Sequence, residues 1–406
     1  MRIHFIGIGG IGVSALAQYY LQKGYEISGS DLAPSEITDF LKNKGVQILI
    51  GNQAEHIQES VDLVIYSPAV KPDNPEFLSA KNKGIKLQSY PEALGQLTRE
   101  YTTIAISGSH GKSTTTAMTA LALIAGGIDP TVIVGTKLKE FGNSNFRMGK
   151  SKYLVIEACE YDGSFLEYSP KIAVITNVDK EHIDYFKTFA NVKKAFRDFA
   201  KKVPADGFLI TEKNLPMKEA KNLKLQVPGQ HNILNALSAL SVARLLGVKD
   251  GISFKALSEF TGTWRRFEIT KTEPYTVVSD YGHHPNEILA TLTAAREKYP
   301  DKKIWVIFQP HQYQRTYYLL KDFIKVFRNL KIDNIIITDI YDVAGREEKN
   351  INQKINSELL VKKINKKQVQ YMSLANAEKF VKKNIKSGEV LIIMGAGDIY
   401  KLVEKF

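Results

Sequence analysis

Apolar residues gather in short runs that each stop at small or polar residues, and stretches of helical spacing lie between them. Runs at residues 2–8, 26–30, 62–66, 85–90, 103–107, 153–156, 172–175, 275–279, 303–308, 334–338 and 390–394 read as buried strands. Helices are expected over 13–23, 91–97 and 117–125, over an Ala/Leu-rich stretch ending at Leu246, and onward from Asn286. Strands alternating with helices predict an α/β protein with mostly parallel sheets, whose ligands sit beyond the carboxyl ends of the strands. A chain of 406 residues is long enough for several domains. Three units follow from the pattern: residues 1–97, 98–262 and 263–406.

The residues after several of these strands carry the chemistry. In Thr103–Thr116 an apolar strand stops at Ser107-Gly108-Ser109-His110, and Gly111-Lys112-Ser113 opens a helix. This is the layout of a phosphate cradle: loop and helix N–H groups face anionic oxygens, Lys112 reaches the outer phosphates and Ser113 binds the magnesium. The usual pattern places a glycine where Ile106 stands, so the loop is a shortened variant starting at Gly108. Near the N-terminus, Gly7-Ile8-Gly9-Gly10-Ile11-Gly12 fits G-x-G-x-x-G, with Asp31 closing the second strand, a Rossmann-like arrangement for a diphosphate. A unit of about 97 residues holds one nucleotide diphosphate more easily than a complete dinucleotide. Ser67 ends another strand of this unit. Polar clusters also follow the strands at Glu157–Asp162, Thr176–His182, Asp280–Pro285 and Gln309–Thr316. Glu157 is placed like an acid that holds nucleotide magnesium, and Asn232 and Asn235 share one helix face. A site shared between the second and third units is the economical expectation.

Composition narrows the field. With 44% hydrophobic and 24% charged residues the chain is ordinary globular protein. Its single cysteine, Cys159, rules out an internal disulfide and fits a reducing cytoplasm. No apolar run reaches the ~18 residues of a membrane span. The apolar start runs into glycines with no small-residue cleavage site, so it reads as a first strand rather than a signal peptide. The net charge of +12 comes from scattered lysine pairs such as Lys193-Lys194 and Lys382-Lys383, without interleaved aromatics. Solvated faces that steer small anions are expected, with no nucleic-acid or membrane partner.

The ordered set Gly7–Gly12, Ser28–Asp31, Ser107–Thr116, Glu157–Phe165, Thr176–His182, Pro228–Ala236, Arg265–Phe267, Asp280–Pro285 and Phe308–Thr316 resembles the Mur ligase family across nearly the whole chain. The resemblance implies a three-domain α/β protein: Rossmann-like N-terminal, central P-loop ATPase-like parallel sheet, C-terminal Rossmann-like. It implies ATP-dependent amide formation, with L-alanine joined to the lactyl carboxylate of UDP-N-acetylmuramate through an acyl phosphate. Lys112, Glu157, His182 and His283 would be catalytic. ATP would be held by Gly108, Ser109, His110, Gly111, Lys112, Ser113 and Thr114, with Asn232 and Asn235 at adenine and Arg266 and Asp280 near phosphates and ribose. Magnesium, with manganese as an alternative, would be bound by Ser113, Glu157 and His182. The sugar nucleotide would meet Gly9, Gly10, Ile11, Gly12, Asp31, Ser67 and Asn145, and the amino acid Tyr281, His283 and Arg315. A cytoplasmic monomer or weak homodimer is expected.

Departures from the family pattern keep other readings in view. Cys159 and Ser279 stand where aspartate is usual, Gln312 replaces an arginine of the amino-acid pocket, and the segment 211–227 is short. Addition of a preformed peptide in place of alanine is the nearest alternative. An NAD-dependent oxidoreductase would use Gly7–Gly12 and Asp31 but would leave Lys112, Glu157 and His182 without a role. A non-catalytic nucleotide-binding regulator is the third.

Overall fold

The computed structural model describes residues 1–342, 347, 348 and 350–406. Five short strands, β1 (Arg2–Ile6), β2 (Glu26–Asp31), β3 (Gln47–Ile50), β4 (Leu63–Tyr66) and β5 (Lys86–Ser89), form a first sheet. Its order is β3-β2-β1-β4-β5 and every pairing is parallel. The second sheet is built from β6 (Thr102–Ser107), β7 (Thr131–Leu138), β8 (Ser144–Arg147), β9 (Tyr153–Glu157), β10 (Ile172–Ile175) and β11 (Phe208–Thr211). They run in the order β11-β10-β6-β9-β7-β8, parallel except for the β7/β8 hairpin. A third sheet has the order β12-β13-β17-β14-β15-β16. Its strands are β12 (Glu268–Lys271), β13 (Thr276–Asp280), β14 (Ile304–Phe308), β15 (Asn334–Ile337), β16 (Val369–Tyr371) and β17 (Val390–Met394), with only β12 antiparallel. The expected three-domain α/β architecture is therefore present. Among the described residues no helix is long and apolar enough to cross a membrane.

Every predicted strand is found, shifted by a residue or two at its ends. The sequence pattern did not announce β3, β7, β8, β11, β12 or β16. Most of these are three- or four-residue strands at or near sheet edges, too short to show a period of their own. The predicted helices are also present, at Ile11–Gln22, Tyr90–Glu100, Lys112–Ala125, Gln230–Leu245 and Pro285–Lys298.

Packing divides the chain into two compact units, Met1–Lys224 with Leu234–Glu259, and Leu225–Ile233 with Phe260–Phe406. The first unit holds two sheets because one apolar core serves both. It runs from Ile3, Phe5 and Ile8 through Leu16, Leu94 and Leu97 to Ala105, Leu154, Ile156, Phe165 and Phe199. Leu97, where the first expected boundary falls, lies inside helix Tyr90–Glu100 and in this core. The second unit buries both faces of its sheet, with Phe308, Phe323 and Phe327 on one side and Trp305, Leu391 and Ile393 on the other. Burial on both faces accounts for strands that read as unbroken apolar runs.

A polar group sits within the first sheet. Glu76, fully buried, accepts from Ser30 Oγ at 2.6 Å, lies 3.0 Å from His4 Nε2, and meets His56 Nδ1 at 2.9 Å. Burial works to raise the Glu76 pKa, but the hydrogen bonds of His4, Ser30 and His56 and the charge of His4 outweigh it and hold it below the usual glutamate value. A carboxyl whose folded pKa is depressed contributes stability above its unfolded pKa of about 4.3, and loses it as pH falls through the folded value. Glu76→Gln should lower the urea midpoint near neutral pH by a cost of about 1–3 kcal/mol. It should also show a smaller loss of midpoint on acidification than the wild type; an equal acid loss in both proteins would contradict the assignment.

Candidate active site

Strand β6 is central in its sheet and ends at Ser107, so the chain leaves the sheet surrounded by neighbouring strand ends. Gly108 then adopts a φ of +140°, and Gly111, with φ +82°, starts helix Lys112–Ala125. Both positions need glycine: a Cβ at Gly108 would collide with Thr176 Oγ1, and one at Gly111 with Asn235 Oδ1. The loop is tied to the residues after β10. Ser109 N donates to Asn177 O at 3.0 Å, His110 N to Asn177 Oδ1 at 2.9 Å, and Thr176 Oγ1 and Asn177 Nδ2 to His110 O at 2.6 and 2.9 Å. Asp179 N donates to Ser109 Oγ at 2.8 Å, and His110 Nε2 lies 3.1 Å from Asp179 Oδ2. The Thr176–His182 cluster thus acts first as the frame of the loop.

Lys112 folds back over that loop. Its Nζ donates to Gly108 O at 2.6 Å and Ser109 O at 3.0 Å, and lies 3.2 Å from Oε1 and 2.9 Å from Oε2 of Glu160. Burial would lower the Lys112 pKa, but Glu160, with Cys159, Glu181 and Glu157 adding to it, holds the ammonium above the usual lysine range. Glu160 itself is 1% exposed, so the lysine is the nearest cation to a carboxylate cut off from solvent. Glu160, Glu181 and His182 each offer a ligand atom within 4.8 Å of the others, two oxygens and one imidazole nitrogen suited to a divalent cation. The other acid, Glu157, accepts from Gly135 N at 2.8 Å. Ser113 and Thr114 are buried in the first turn of the helix, and Asn235 Oδ1 accepts from Thr115 Oγ1 at 3.1 Å. Asn232, three residues earlier on the same helix, donates from Nδ2 to Pro228 O at 2.7 Å. Sequence reasoning passed over Glu160 and Glu181, although both lie inside motifs it had singled out.

The first sheet ends in a second small-residue loop. Gly7, with φ +79°, turns against Ser67, and Gly10 caps helix Ile11–Gln22, whose first turn carries no acid. Gly12 passes close to the Tyr90 ring, where a Cβ would lie 2.7 Å from the hydroxyl. Asp31 Oδ2 accepts from Gly9 N at 2.8 Å and Oδ1 from Leu32 N at 2.8 Å. Asn145, on β8, donates to Ser14 Oγ at 2.8 Å and to Ile11 O, and accepts from Gln18 Nε2 at 2.8 Å. It therefore grips the helix that follows the glycine loop. Asn145 and Ile11 border a cavity of about 160 Å³ that is also lined by Glu36, Ile37, Phe40, Lys137 and Asn143.

In the second unit the residues after β13 and β14 meet. The His283 ring lies 5.5 Å from Tyr281 and 5.6 Å from His311, and His311 stacks on Tyr341. Arg315 bonds His311 through NH1, 3.0 Å from Nδ1 and 3.2 Å from the carbonyl. Tyr281, His283 and Arg315 are thus brought together, with His311 as the link the sequence reading had left out of the site. Arg266 lies over the Tyr281 ring at 4.7 Å. Asp280 accepts from Gly282 N at 2.7 Å and Phe267 N at 2.9 Å; burial raises its pKa, against the opposing pull of Arg266 and those two N–H groups. Gln312 holds a φ of +73° and opens helix Tyr313–Tyr318.

The loop geometry makes Gly108→Ala a sharp test. The substitution should cost about 1–3 kcal/mol of stability from backbone strain, and should weaken magnesium–ADP binding by ~10-fold or more in calorimetry. Unchanged affinity would mean that the loop does not hold phosphate.

Models of three Mur ligase regions match this chain: the Mur ligase family catalytic domain over residues 2–102, the middle domain over 106–222 and the glutamate ligase domain over 265–397. The chain is 41% identical to the UDP-N-acetylmuramate–L-alanine ligase of Aquifex aeolicus, covering 100% of this chain and 97% of that protein. It is 39% identical to the ligase of the same name from Alkaliphilus metalliredigens, covering 99% and 96%. Among solved structures, the UDP-N-acetylmuramate–alanine ligase of Thermotoga maritima matches with a TM-score of 0.84 at 29% identity, covering 100% of this chain and 98% of that one. A murein peptide ligase from Psychrobacter arcticus shares the fold at a TM-score of 0.73 and 24% identity, covering 100% and 98%. Identity of this order over the whole length, with all three regions matched in sequence order, places the chain in the Mur ligase family.

Proposed function

We propose that this protein is an ATP-dependent ligase that joins L-alanine to the lactyl carboxylate of UDP-N-acetylmuramate, a step of peptidoglycan precursor synthesis. The observation that carries the reading is the full-length identity of 39–41% to relatives bearing that activity in their names. The lysine-bearing loop supports it. In the reaction the carboxylate attacks the γ-phosphorus of ATP, ADP departs, and an acyl phosphate remains. The alanine amine then attacks the acyl carbon, phosphate leaves, and an amide is formed.

Each region of the chain has a part in this reading. Gly108, Ser109, His110, Gly111, Lys112, Ser113 and Thr114 cradle the phosphates, and Lys112 offsets the repulsion between the incoming carboxylate and the triphosphate. Ser113, Glu157 and His182 are the proposed ligands of magnesium or manganese, which supplies charge neutralisation when bound. Glu160 and Glu181, grouped with His182, fit the same divalent charge. Asn232 and Asn235 are assigned to adenine, and Arg266 and Asp280 to phosphates and ribose. Gly9, Gly10, Ile11, Gly12, Asp31 and Ser67 hold the sugar nucleotide at a helix N-terminus. Asn145 serves it by fixing that helix. Tyr281, His283 and Arg315 receive alanine, whose carboxylate suits a guanidinium. The corresponding domains are 1–97, 98–262 and 263–406. The reading places the enzyme in the cytoplasm as a monomer or weak homodimer, with no membrane or nucleic-acid partner.

Two measurements test it. Phosphate release should require ATP, a divalent cation, UDP-N-acetylmuramate and L-alanine together, and glycine, L-serine or L-Ala-γ-D-Glu-diaminopimelate should support less of it. Release that ignores the sugar nucleotide would sink the reading, and a preference for the peptide would change the acceptor. Lys112→Ala should lower turnover by ~100–1000-fold, the scale for losing one preorganised charge stabiliser; a near-normal rate would refute the role given to the loop.

A further inference from the structure

An ammonium has three N–H donors, and Lys112 has an acceptor for each: Gly108 O, Ser109 O and the Glu160 carboxylate. Phosphate chemistry accounts for the lysine and for the loop carbonyls nearby, but not for a carboxylate that is 1% exposed. At that depth Glu160 opposes an incoming polyphosphate twice. It repels the anion through a poorly screened medium, and it holds the cation that the anion needs. Cys159 beside it is exposed and brings no positive charge. Among the described residues Glu160 also meets Glu181, a second buried carboxylate, and His182, whose Nε2 is 3.7 Å from Glu160 Oε1. Once Lys112 moves to phosphate, Glu160 loses the ammonium that lies 2.9 Å from its Oε2.

We propose that Glu160 is a positioning residue that keeps Lys112 folded onto its own loop when no nucleotide is bound, and that nucleotide can take the lysine only when a divalent cation replaces it as the counter-charge of Glu160. The inference rests on the nucleotide reading of the Gly108–Ser113 loop and goes beyond it by coupling lysine release to the cation. Lys112 is then a shared group, owned by Glu160 in the empty protein and by phosphate in the complex.

The test is calorimetric titration of ADP into the full-length protein, once with magnesium chloride and once with EDTA, on the wild type, Glu160→Gln and Glu160→Asp. Removing the charge should tighten cation-free ADP binding by ~10-fold, the scale of one charge-assisted hydrogen bond, and should shrink the gain in affinity that magnesium gives. Glu160→Asp, one methylene shorter, should tighten cation-free binding by about 3-fold, half the free-energy change. This graded series keeps the proposal testable if Glu160→Gln loses its thermal transition. Equal weakening of ADP with and without magnesium in both variants would assign Glu160 a structural role and overturn the proposal, as would unchanged cation-free affinity. Absence of ADP binding by the wild type in magnesium would instead overturn the nucleotide reading itself.

Discussion

A half-buried ammonium with three acceptors is the constraint around which the first unit is arranged. Burying a cation is costly unless it is paired and fully hydrogen-bonded, so the chain must bring two carbonyls and a carboxylate to one point. The carbonyls come from a loop that can turn tightly enough only because Gly108 and Gly111 have positive φ. The carboxylate comes from the loop after β9, the strand paired to β6. The frame comes from Thr176, Asn177 and Asp179 after β10, the strand on the other side. A central strand with parallel partners on both sides lets three loops converge in this way, and a strand at the sheet edge would lose one of them.

The first sheet solves a related problem without a cation. Its glycine loop presents a helix N-terminus, and the orphan N–H groups there favour anions. Asp31 satisfies the Gly9 N–H, so this acid is part of the loop's own frame rather than a group standing clear of it. Asn145 fixes the same helix from β8, using its amide at both ends. Two sheets that share one core are thereby joined by polar contacts as well, and the start of helix Ile11–Gln22 is held from two sides.

How much of this was legible depends on whether the signal was local. Strand and helix positions were, because a strand buried on both faces writes an apolar run and a phosphate loop writes glycines at fixed spacing. The edge strands β8, β11 and β12 were not, since four residues show no period. Lys112 and His182 could be named from motifs, and Tyr281, His283 and Arg315 are linked in the structure through His311. Glu160 could not be distinguished from Glu157 in Glu157-Ala158-Cys159-Glu160, because only the turn after β9 decides which carboxylate meets the lysine and which meets Gly135 N. His311 lies inside the Gln309–Thr316 motif, and its position between His283 and Arg315 is set by the packing of two separate strand ends.

Buried charges in the two units are satisfied by different kinds of partner, and the difference separates fixed groups from movable ones. Arg265, 5% exposed, donates to the carbonyls of Gly395 and Gly397 and lies against the rings of Tyr281 and Tyr400. Asp280 is held by two backbone N–H groups. Backbone partners cannot leave without breaking the strand ends that carry them, so these charges belong to the scaffold. Lys112 also donates to the Gly108 and Ser109 carbonyls, but its counter-charge is the Glu160 side chain, and that pair can part if another charge takes its place. A ligand that brings its own charges can therefore rearrange the Lys112–Glu160 pair while leaving Arg265 and Asp280 as they are. Within this fold, partner exchange is possible where both partners are side chains, and the phosphate loop is built around such a pair.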